Sequence, residues 1–280
     1  MIIAADVGGT KTLLGLYDAA QGRRPLVTRT YRSAGFAHLE DIVEAFRHDT
    51  NHPTITNAVF GIPGPVFQGE VHATNLPWVI RVQDLHDATG IPNLTLLNDL
   101  EAAAYGVPFL DGDDLLQLNE VPVQPGNKVI IAPGTGLGEA ILIYSEGRYH
   151  AVATEGGHVD FAPRNLFEIE LLRYLLGKFG HVSYERVCSG IGIPHIYDYL
   201  SANNFAPEKP EIAEKLANSA DRTPVIVEAA LNYRSDLCQE TLNVFVSILG
   251  AEAGNMALKV LARGACIWAG ASHRALWRSS

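Results

Sequence analysis

The stretch IIAADVGGTKT, residues 2–12, decides the fold of this chain. An apolar run ends at Asp6, and two glycines and a threonine separate it from a second apolar run. This pattern predicts a buried strand over Ile2–Val7, a glycine turn, and a second strand over Thr12–Tyr17. Glycine lets a ligand approach the backbone closely, and the N–H groups of such a turn can bind phosphate oxygens. From these residues alone, an ordinary hairpin with glycine at positive φ is slightly favoured over an anion-binding turn.

The same pattern returns in the second half of the chain. KVIIAPGTGLGEAILIY, residues 128–144, again predicts a strand, a glycine turn and a strand. Both stretches run from Ile-Ile-Ala through a glycine turn to an apolar strand that ends in tyrosine. This weak repeat predicts two related α/β halves. Two glycine turns that face each other across a cleft can bind one polyphosphate, so the pair is a more specific signal than either turn alone.

Hydrophobic periodicity predicts the remaining elements. Further strands are expected over Thr28–Tyr31, Ala58–Ile62 and Asn93–Leu97. Helices are expected over Leu39–Arg47, Leu100–Tyr105, Leu166–Leu176, Ile191–Leu200 and Cys238–Leu261. The segment Ser201–Pro224 is interpreted as a loop or helical excursion with no site of its own.

Composition excludes several classes of protein. The length of 280 residues fits one or two domains. The net charge of -10 argues against a nucleic-acid surface, which needs clustered Lys and Arg. The sequence has no basic leader and no long uninterrupted apolar stretch, so we expect a cytoplasmic protein that makes no contact with a membrane. The three cysteines are far apart and form no CxxC pair, which argues against disulfides and a zinc site.

Acidic side chains stand at two positions where strands are expected to end. Asp6 precedes the first glycine turn, where a carboxylate can hold hydrated Mg²⁺ beside a phosphate. Asn98 and Asp99 lie between a strand and a helix, where both residue types are preferred as helix N-caps. Ligands of α/β sheets bind at the carboxyl ends of strands, and a carboxylate there can accept a hydroxyl proton during phosphoryl transfer. For Asn98-Asp99, the capping role and the catalytic role are equally favoured by the residues alone.

A second group of polar residues suits the binding of sugar hydroxyls. Glu155 and His158 flank a glycine pair in EGGH, and Glu185 follows in HVSYERV. Acids, amides and histidines form paired hydrogen bonds to hydroxyl groups. Each residue also has a structural interpretation: Glu155 as a turn acid, His158 as a core histidine and Glu185 as a solvated helix residue. The residues alone favour the structural interpretation for Glu185 and leave the other two open.

Taken in order, these motifs resemble those of bacterial glucokinases. The series is DVGGT, NLPW, LLNDLEAAAYG, GTGLG, EGGHVDFAP and GHVSYERVCSG, and it extends from about Ile2 to about Gly264. Glucokinases belong to the superfamily of hexokinases, actin and heat-shock ATPases. The resemblance therefore implies two ribonuclease-H-like α/β domains that flank an active-site cleft, the actin-like ATPase fold. It also implies ATP-dependent phosphorylation of D-glucose with Mg²⁺, and a homodimer is plausible.

The resemblance also assigns roles to individual residues. Asp99 would be the general base that accepts the proton of the glucose 6-hydroxyl. Asp6 would hold Mg²⁺, through water. The sugar would be bound by Asn98, Asp99, Glu155, His158 and Glu185, with Asn75 near the pocket. The phosphates of ATP would be bound by a first loop of Asp6, Gly8, Gly9 and Thr10 and by a second loop of Gly134, Thr135 and Gly136.

The C-terminal segment departs from the family pattern. We expect a smaller domain over 1–109 and a larger domain over 110–280, whose C-terminal end would be incomplete. After Gly264 the family continues with a strand and a Gly-Gly turn on the adenosine side, whereas this chain reads ACIWAGASHRALWRSS. A frameshift or truncation would remove the last strand and helix and part of the adenosine site. The alternative to a glucokinase is therefore an impaired or inactive sugar-binding remnant.

Overall fold

The computed structural model describes residues 1–73, 76–110, 112–119, 121–122 and 124–270. Asn75, a predicted sugar-site residue, lies outside the described residues. The chain divides into two compact units, Met1–Gln117 and Leu118–Ser280. Each unit has its own hydrophobic core, as expected for a domain.

The first unit contains a mixed five-stranded sheet with the strand order β3-β2-β1-β4-β7. Strands β1 and β2 form an antiparallel hairpin, β3 pairs antiparallel with β2, and β4 and β7 extend the sheet in parallel on the other side of β1. A separate two-stranded ribbon joins β5 and β6. The strands are β1 (Ile2–Val7), β2 (Lys11–Tyr17), β3 (Val27–Arg32), β4 (Asn57–Ile62), β5 (Glu70–His72), β6 (Val79–Arg81) and β7 (Asn93–Asn98).

In the described part of the first unit, three α-helices accompany this sheet: α1 (Leu39–Asp49), α2 (Val82–Thr89) and α3 (Asp99–Gly106). Helix α1 buries Leu39, Ile42, Val43 and Phe46, which recur at helical spacing along one face. Its N-terminus carries a capping box in which the side chains of His38 and Asp41 each accept a backbone N–H. These features explain why the predicted helix forms.

The second unit repeats the pattern of the first in a four-stranded sheet with the order β10-β9-β8-β11. Strands β8 and β9 form an antiparallel hairpin, β10 pairs antiparallel with β9, and β11 pairs in parallel with β8. The strands are β8 (Lys128–Pro133), β9 (Leu137–Ser145), β10 (Arg148–Ala153) and β11 (Ala265–Trp268). The order and directions match those of β3-β2-β1-β4, which confirms the two related halves predicted from the repeat.

Among its described residues, the second unit contains five α-helices: α4 (Leu166–Leu176), α5 (Gly192–Ala202), α6 (Pro210–Ala217), α7 (Thr223–Leu231) and α8 (Asp236–Lys259). Helix α8 packs against α5 and α7 and contributes many buried residues to the core. By length and composition α8 could cross a membrane, but half of its apolar window is buried in the unit, and core helices meet the same criterion. The excursion predicted over Ser201–Pro224 contains α6.

Strand β11 corrects one expectation about the C-terminal segment. Residues Ala265–Trp268 pair in register with Lys128–Ile131, and the N–H of Ala269 donates to the carbonyl of Ile131 over 3.0 Å. The expected loss of the last strand is therefore wrong. The sequence ACIW differs from the family's pattern, but its β-branched and aromatic residues suit a strand.

Candidate active site

Asp6 and Asp99 lie at the same edge of the first sheet. The register pairs Asp6 of β1 with Gly61 of β4, and Ile62 of β4 with Asn98 of β7. Parallel strands bring their carboxyl ends to one edge, where α/β proteins bind ligands. Burial raises the pKa of Asp6 above its ordinary value, the charge of Asp99 raises it further, and Lys11 opposes both. The two predicted acids are thus close enough to interact electrostatically.

Gly61 is the residue that allows α3 to approach β4 so closely. A Cβ atom at this position would lie 3.0 Å from the Cβ of Ala102 and 3.7 Å from the Cα of Asp99. The 3.0 Å contact is tighter than ordinary packing and the 3.7 Å contact is ordinary, so the first turn of α3 packs closely against the end of β4. No local sequence pattern predicts a role for Gly61, because its importance depends on contact with α3, which begins at Asp99.

Asn98 is the N-cap of α3, which confirms the capping role that was one of the two predicted for Asn98-Asp99. Its side-chain oxygen accepts hydrogen bonds from the N–H groups of Leu100, at 3.0 Å, and Glu101, at 3.3 Å. Its amide group donates to the carbonyl of Gly64 over 3.1 Å. An asparagine amide has two N–H bonds, so Asn98 retains one donor for a ligand.

The carboxylate of Asp99 is exposed to solvent. One of its oxygens, Oδ1, accepts the N–H of Leu100 over 2.8 Å, at the first residue of α3. This bond and the favourable field of the helix N-terminus hold a negative charge in place. Asp99 is therefore an oriented carboxylate with a second oxygen available to a substrate.

The first glycine turn is a hairpin with free donors. Gly8 donates its N–H to the carbonyl of Lys11 over 3.0 Å. Neither Gly8 nor Gly9 has a positive φ, so the expected reason for glycine is wrong. The reason at Gly8 is space, since a Cβ would lie 2.9 Å from the Lys11 oxygen. The N–H groups of Gly9 and Thr10 donate to no other described residue, which leaves them for an anion.

Ser33 holds this turn from the neighbouring strand, a role that the sequence did not suggest. Its hydroxyl donates to the carbonyl of Gly8 over 2.6 Å, and its N–H donates to the carbonyl of Thr10 over 3.1 Å. The hydroxyl also lies 3.0 Å from that of Thr12, and both side chains are fully buried. In sequence, a serine directly after a strand is typical of any turn. Nothing in the local pattern therefore indicates that Ser33 supports the first glycine turn.

In the second unit, the structure brings Glu155, His158 and Glu185 together. His158 lies with Nε2 3.8 Å from Oε2 of Glu155 and with Nδ1 3.8 Å from Oε1 of Glu185. Glu155 occupies the N-cap position of the 3₁₀ helix Gly156–His158 without a capping hydrogen bond from its side chain, and Glu185 lies in the 3₁₀ helix Tyr184–Arg186. His158 and Glu155 are exposed, whereas Glu185 is mostly buried. The three side chains predicted to bind a sugar thus form one cluster around His158.

The second glycine turn is joined to this cluster through Glu185. Oε2 of Glu185 accepts the N–H of Leu137 over 3.0 Å. A Cβ atom at Gly136 would collide with the same oxygen, so glycine is required there for Glu185 to reach the turn. As in the first turn, φ is not positive at Gly134 or Gly136.

The backbone of the second turn also leaves donors unused. Gly134 donates to the carbonyl of Gly136 over 2.9 Å, and its own carbonyl accepts the N–H of Gly190 over 2.8 Å. Ile191 donates to the carbonyl of Thr135 over 3.2 Å. The N–H groups of Thr135 and Gly136 donate to no other residue in the described part of the chain. Both glycine turns therefore present free backbone donors, the property that binds phosphate.

A pocket of mixed polarity opens beside the second turn. Its polar lining includes Thr135, Asp221, Arg222 and Thr223, and its apolar lining includes Ile191 and Phe245. Thr223 donates its hydroxyl to the carbonyl of Gly190 over 2.7 Å, which joins the start of α7 to the loop that supports the turn. The sequence pattern predicts no site in Ser201–Pro224, but residues 220–223 line this pocket. Only the tertiary fold brings them there.

No group of three His, Cys, Asp or Glu side chains that could ligate a metal occurs among the described residues. Mg²⁺ differs from structural metals in this respect, because it keeps several waters and needs only one or two carboxylates beside substrate phosphates. Asp6, next to the free N–H groups of the first turn, fits that requirement. Among the described residues, Cys188 and Cys238 are free and buried, whereas Cys266 is free and exposed, so the expectation of buried thiols is wrong for Cys266.

Comparisons with known proteins agree on one family. The family model Glucokinase matches residues 3–276, past the point near Gly264 where the resemblance was expected to end. A glucokinase of Nostoc punctiforme is 40% identical over 285 residues, which cover 96% of this chain and 84% of that protein. A glucokinase of a second Nostoc species is 39% identical with the same coverage. The crystal structure of a glucokinase from an Antarctic psychrotroph has a TM-score of 0.84 at 29% identity, covering 99% of this chain and 85% of that one.

Proposed function

The chain belongs to the glucokinase family, and on that premise we propose that Asp99 is the general base of its reaction. The enzyme phosphorylates D-glucose at the expense of ATP, and the product is glucose 6-phosphate. One observation carries the assignment of the base: Asp99 is an oriented, exposed carboxylate at the carboxyl end of β7, beside Asp6 and the first glycine turn. A base must be within hydrogen-bond reach of the hydroxyl whose proton it takes.

The sugar is bound by the cluster of Glu155, His158 and Glu185. Two carboxylates and an imidazole offer acceptors and a donor to vicinal hydroxyls, which is the pattern that a hexose requires. The remaining N–H of the Asn98 amide supplies a further donor next to Asp99. The bond from Leu137 to Glu185 fixes that carboxylate before the sugar arrives, so little conformational entropy is lost on binding.

The phosphates of ATP are bound by the free N–H groups of the two glycine turns, at Gly9 and Thr10 and at Thr135 and Gly136. The pocket beside the second turn receives the nucleoside, with Ile191 and Phe245 as apolar surface. Asp6 would hold Mg²⁺ through water, and the ion would neutralise charge on the transferring phosphoryl group.

The chemical step follows from these positions. Asp99 accepts the proton of the 6-hydroxyl as the oxygen attacks the γ-phosphorus in line, and ADP leaves. Most of the rate enhancement in such transfers comes from positioning and from charge stabilisation, because the transition state forms little new covalent bonding. The rigid supports of Asp99 and Glu185 therefore matter as much as their charges.

Two further expectations remain predictions: a cytoplasmic location, expected from the sequence pattern, and assembly as a homodimer, implied by the family resemblance. The alternative, a catalytically impaired or inactive sugar-binding remnant, rests on the altered C-terminal segment and an incomplete adenosine site. β11 is present in that segment, and no observation in the described residues favours the alternative.

The proposed function is tested by following glucose 6-phosphate formation from D-glucose and ATP in a coupled assay, with and without Mg²⁺. We expect activity that requires Mg²⁺. The analogue 6-deoxyglucose, which lacks the hydroxyl that is phosphorylated, should inhibit competitively without being turned over. ADP release without glucose 6-phosphate, or phosphorylation of the analogue, would overturn the assignment.

A further inference from the structure

The loop of residues 154–158, which carries two of the proposed sugar-binding side chains, begins where β10 stops pairing with β9. The last pair of that ladder is Ala140 and Ala153, and Thr154 is the next residue of the chain. The single 3₁₀ turn Gly156–His158 follows. The start of a helical turn leaves backbone N–H groups without a partner inside the turn, so a capping group is needed at this point.

Glu155 occupies the N-cap position of this turn but does not cap it. An N-cap residue usually accepts an N–H of the first turn through its side chain. The Glu155 side chain makes no such bond, and it is 57% exposed. Its Oε2 lies 3.8 Å from Nε2 of His158, which is too long for a hydrogen bond. The carboxylate therefore keeps its acceptor oxygens for a ligand.

Thr154 supplies the cap that Glu155 does not. Its hydroxyl oxygen accepts the N–H of Gly156 over 3.1 Å, and the same hydroxyl donates to the carbonyl of Glu139 on β9 over 2.8 Å. A hydroxyl has one donor and two acceptor lone pairs, so it can form both bonds at once. Thr154 thus satisfies the first donor of the turn and continues the contact between β10 and β9 beyond their last backbone pair.

The loop also packs directly against the start of β9. A Cβ atom at Gly156 would collide with Oε2 of Glu139, and a Cβ atom at Gly157 would collide with the carbonyl oxygen of Leu137. The N–H of the same Leu137 donates to Glu185 over 3.0 Å. The loop and Glu185 are therefore placed against the same residues of β9, so a shift of the loop changes the spacing of the sugar cluster.

The other end of the loop is anchored by the main chain of a neighbouring segment. Phe161 donates its N–H to the carbonyl of Val182 over 2.9 Å, and Tyr184 donates its N–H to the carbonyl of Val159 over 3.0 Å. These bonds join backbone groups, so a change of side chain at position 154 leaves their donors and acceptors in place. Loss of the Thr154 hydroxyl should therefore release one end of the loop without unfolding the unit.

We propose that Thr154 is a positioning residue for glucose binding: it caps the 3₁₀ turn in place of Glu155 and so leaves the Glu155 carboxylate free for a sugar hydroxyl. The proposal rests on the proposed sugar-binding role of Glu155 and His158. Without the Thr154 hydroxyl, the N–H of Gly156 must turn to water or to the Glu155 carboxylate. Short polar side chains compete for such backbone donors, and capture of Glu155 would withdraw it from the sugar.

The test compares steady-state kinetics of the wild type, Thr154→Val and Thr154→Ser. Valine has nearly the shape of threonine but forms neither hydrogen bond, whereas serine keeps the hydroxyl. We expect Thr154→Val to raise KM for glucose about fivefold or more, the effect of leaving one backbone donor without its partner. We expect kcat and KM for ATP to stay within about twofold of the wild type, since Thr154 serves binding of the sugar and not the chemical step. Thr154→Ser should restore KM for glucose.

Thr241→Val is the matched control in the same unit. It removes a fully buried hydroxyl that donates to the carbonyl of Leu237 over 2.8 Å on α8. This variant should lower the melting temperature and leave KM for glucose unchanged. If Thr154→Val has the same effects as Thr241→Val, Thr154 has only a structural role and the proposal is overturned.

Hydrogen exchange of the Gly156 amide gives a second readout that does not depend on activity. It can be followed by NMR on protein that contains isotopically labelled glycine, with Gly250 on α8 as the internal reference. We expect the Gly156 amide to exchange faster in Thr154→Val than in the wild type or in Thr154→Ser. Equal exchange in all three proteins would show that Thr154 does not cap the turn, and the proposal would fail.

Glu155→Gln distinguishes failure of this proposal from failure of the proposed sugar site. If Glu155→Gln leaves KM for glucose unchanged, the sugar-binding role of Glu155 is wrong, and the positioning role of Thr154 falls with it. If Glu155→Gln raises KM for glucose and Thr154→Val does not, the sugar site stands and Thr154 is not its positioning residue. The proposal requires that both variants raise KM for glucose.

Discussion

The carboxylate of Glu185 accepts a hydrogen bond from the backbone N–H of Leu137 over 3.0 Å, although 48 residues separate the two in sequence. The bond joins the sugar cluster to the start of β9, immediately after the second glycine turn. It also explains why Glu185 is mostly buried, which the sequence pattern alone did not favour. A carboxylate held in this way has one oxygen committed to the protein and one directed to His158.

Two substitutions of Glu185 should weaken glucose binding to different extents. Glu185→Gln can still accept the Leu137 N–H through its amide oxygen, but it loses the charge. Glu185→Ala loses both and leaves a donor without a partner. Hydrogen bonds to charged groups are worth about 1.5–3 kcal/mol, so we expect KM for glucose to rise about tenfold or more, and further in the alanine variant. Glu214→Gln, an exposed residue on α6, is the control, and equal effects of all three changes would contradict the role.

Gly136→Ala should disturb the same carboxylate from the opposite side. The added methyl group would collide with Oε2 of Glu185, so the turn or the carboxylate must move. We expect KM to rise for both glucose and ATP, because Gly136 lies in the second phosphate turn and touches the sugar cluster. Steady-state kinetics with each substrate varied in turn measure this. Gly250→Ala on α8, where a Cβ atom meets nothing within 4 Å, is the control and should leave both KM values unchanged. If Gly136→Ala also leaves both unchanged, the proposed coupling between the second glycine turn and Glu185 is absent.

Asp6→Asn should reduce the affinity for Mg²⁺ and ATP and leave the affinity for glucose nearly unchanged. The amide is almost the same size as the carboxylate but carries no charge for a hydrated cation. We expect a higher Mg²⁺ concentration for half-maximal activity and a higher KM for ATP. Titration of both ligands by calorimetry separates the effects. Loss of glucose binding with normal Mg²⁺ dependence would show that Asp6 belongs to the sugar site instead.

Ser33→Ala should loosen the first glycine turn. The hydroxyl that donates to Gly8 is lost, and the buried Thr12 hydroxyl loses its neighbour. Leaving a buried polar group without a partner costs about 1–3 kcal/mol. We expect a lower melting temperature together with a higher KM for ATP and an unchanged KM for glucose. Thr50→Val removes a hydroxyl bond to the Phe46 carbonyl at the end of α1 and should lower stability without changing KM for ATP. If both variants lowered the melting temperature and neither changed KM for ATP, Ser33 would have only a structural role.

Much of the fold could be predicted from local signals. The observed bounds of β1 (Ile2–Val7) and α4 (Leu166–Leu176) are those predicted. The prediction succeeds because a run of apolar residues, or their helical spacing, is a local property of the sequence. The repeat of strand, glycine turn and strand correctly predicted two related sheets. The last strand, β11, was missed because its motif departs from the family's, although ACIW still fits a parallel edge next to β8.

The site was less accessible to sequence reasoning. Asn98-Asp99 and EGGH stand out as short motifs, so their chemistry could be predicted. The importance of Gly61, Ser33 and Arg222 depends on contacts with distant segments, which no local pattern reports. The glycine turns were recognised for the wrong conformational reason: steric space at Gly8 and Gly136, and not a positive φ, requires glycine there.

The most direct test of the central claim is the turnover of Asp99→Asn. The amide keeps the shape of the side chain but cannot accept the hydroxyl proton. We predict that kcat falls by about 10²–10⁴, the usual contribution of a general base, while Kd for glucose, measured by calorimetry, changes less than about tenfold. Asp84→Asn, an acid in the first turn of α2, is the control for the loss of charge at a helix N-terminus and should keep normal turnover. A kcat for Asp99→Asn within a few-fold of the wild type would contradict the account.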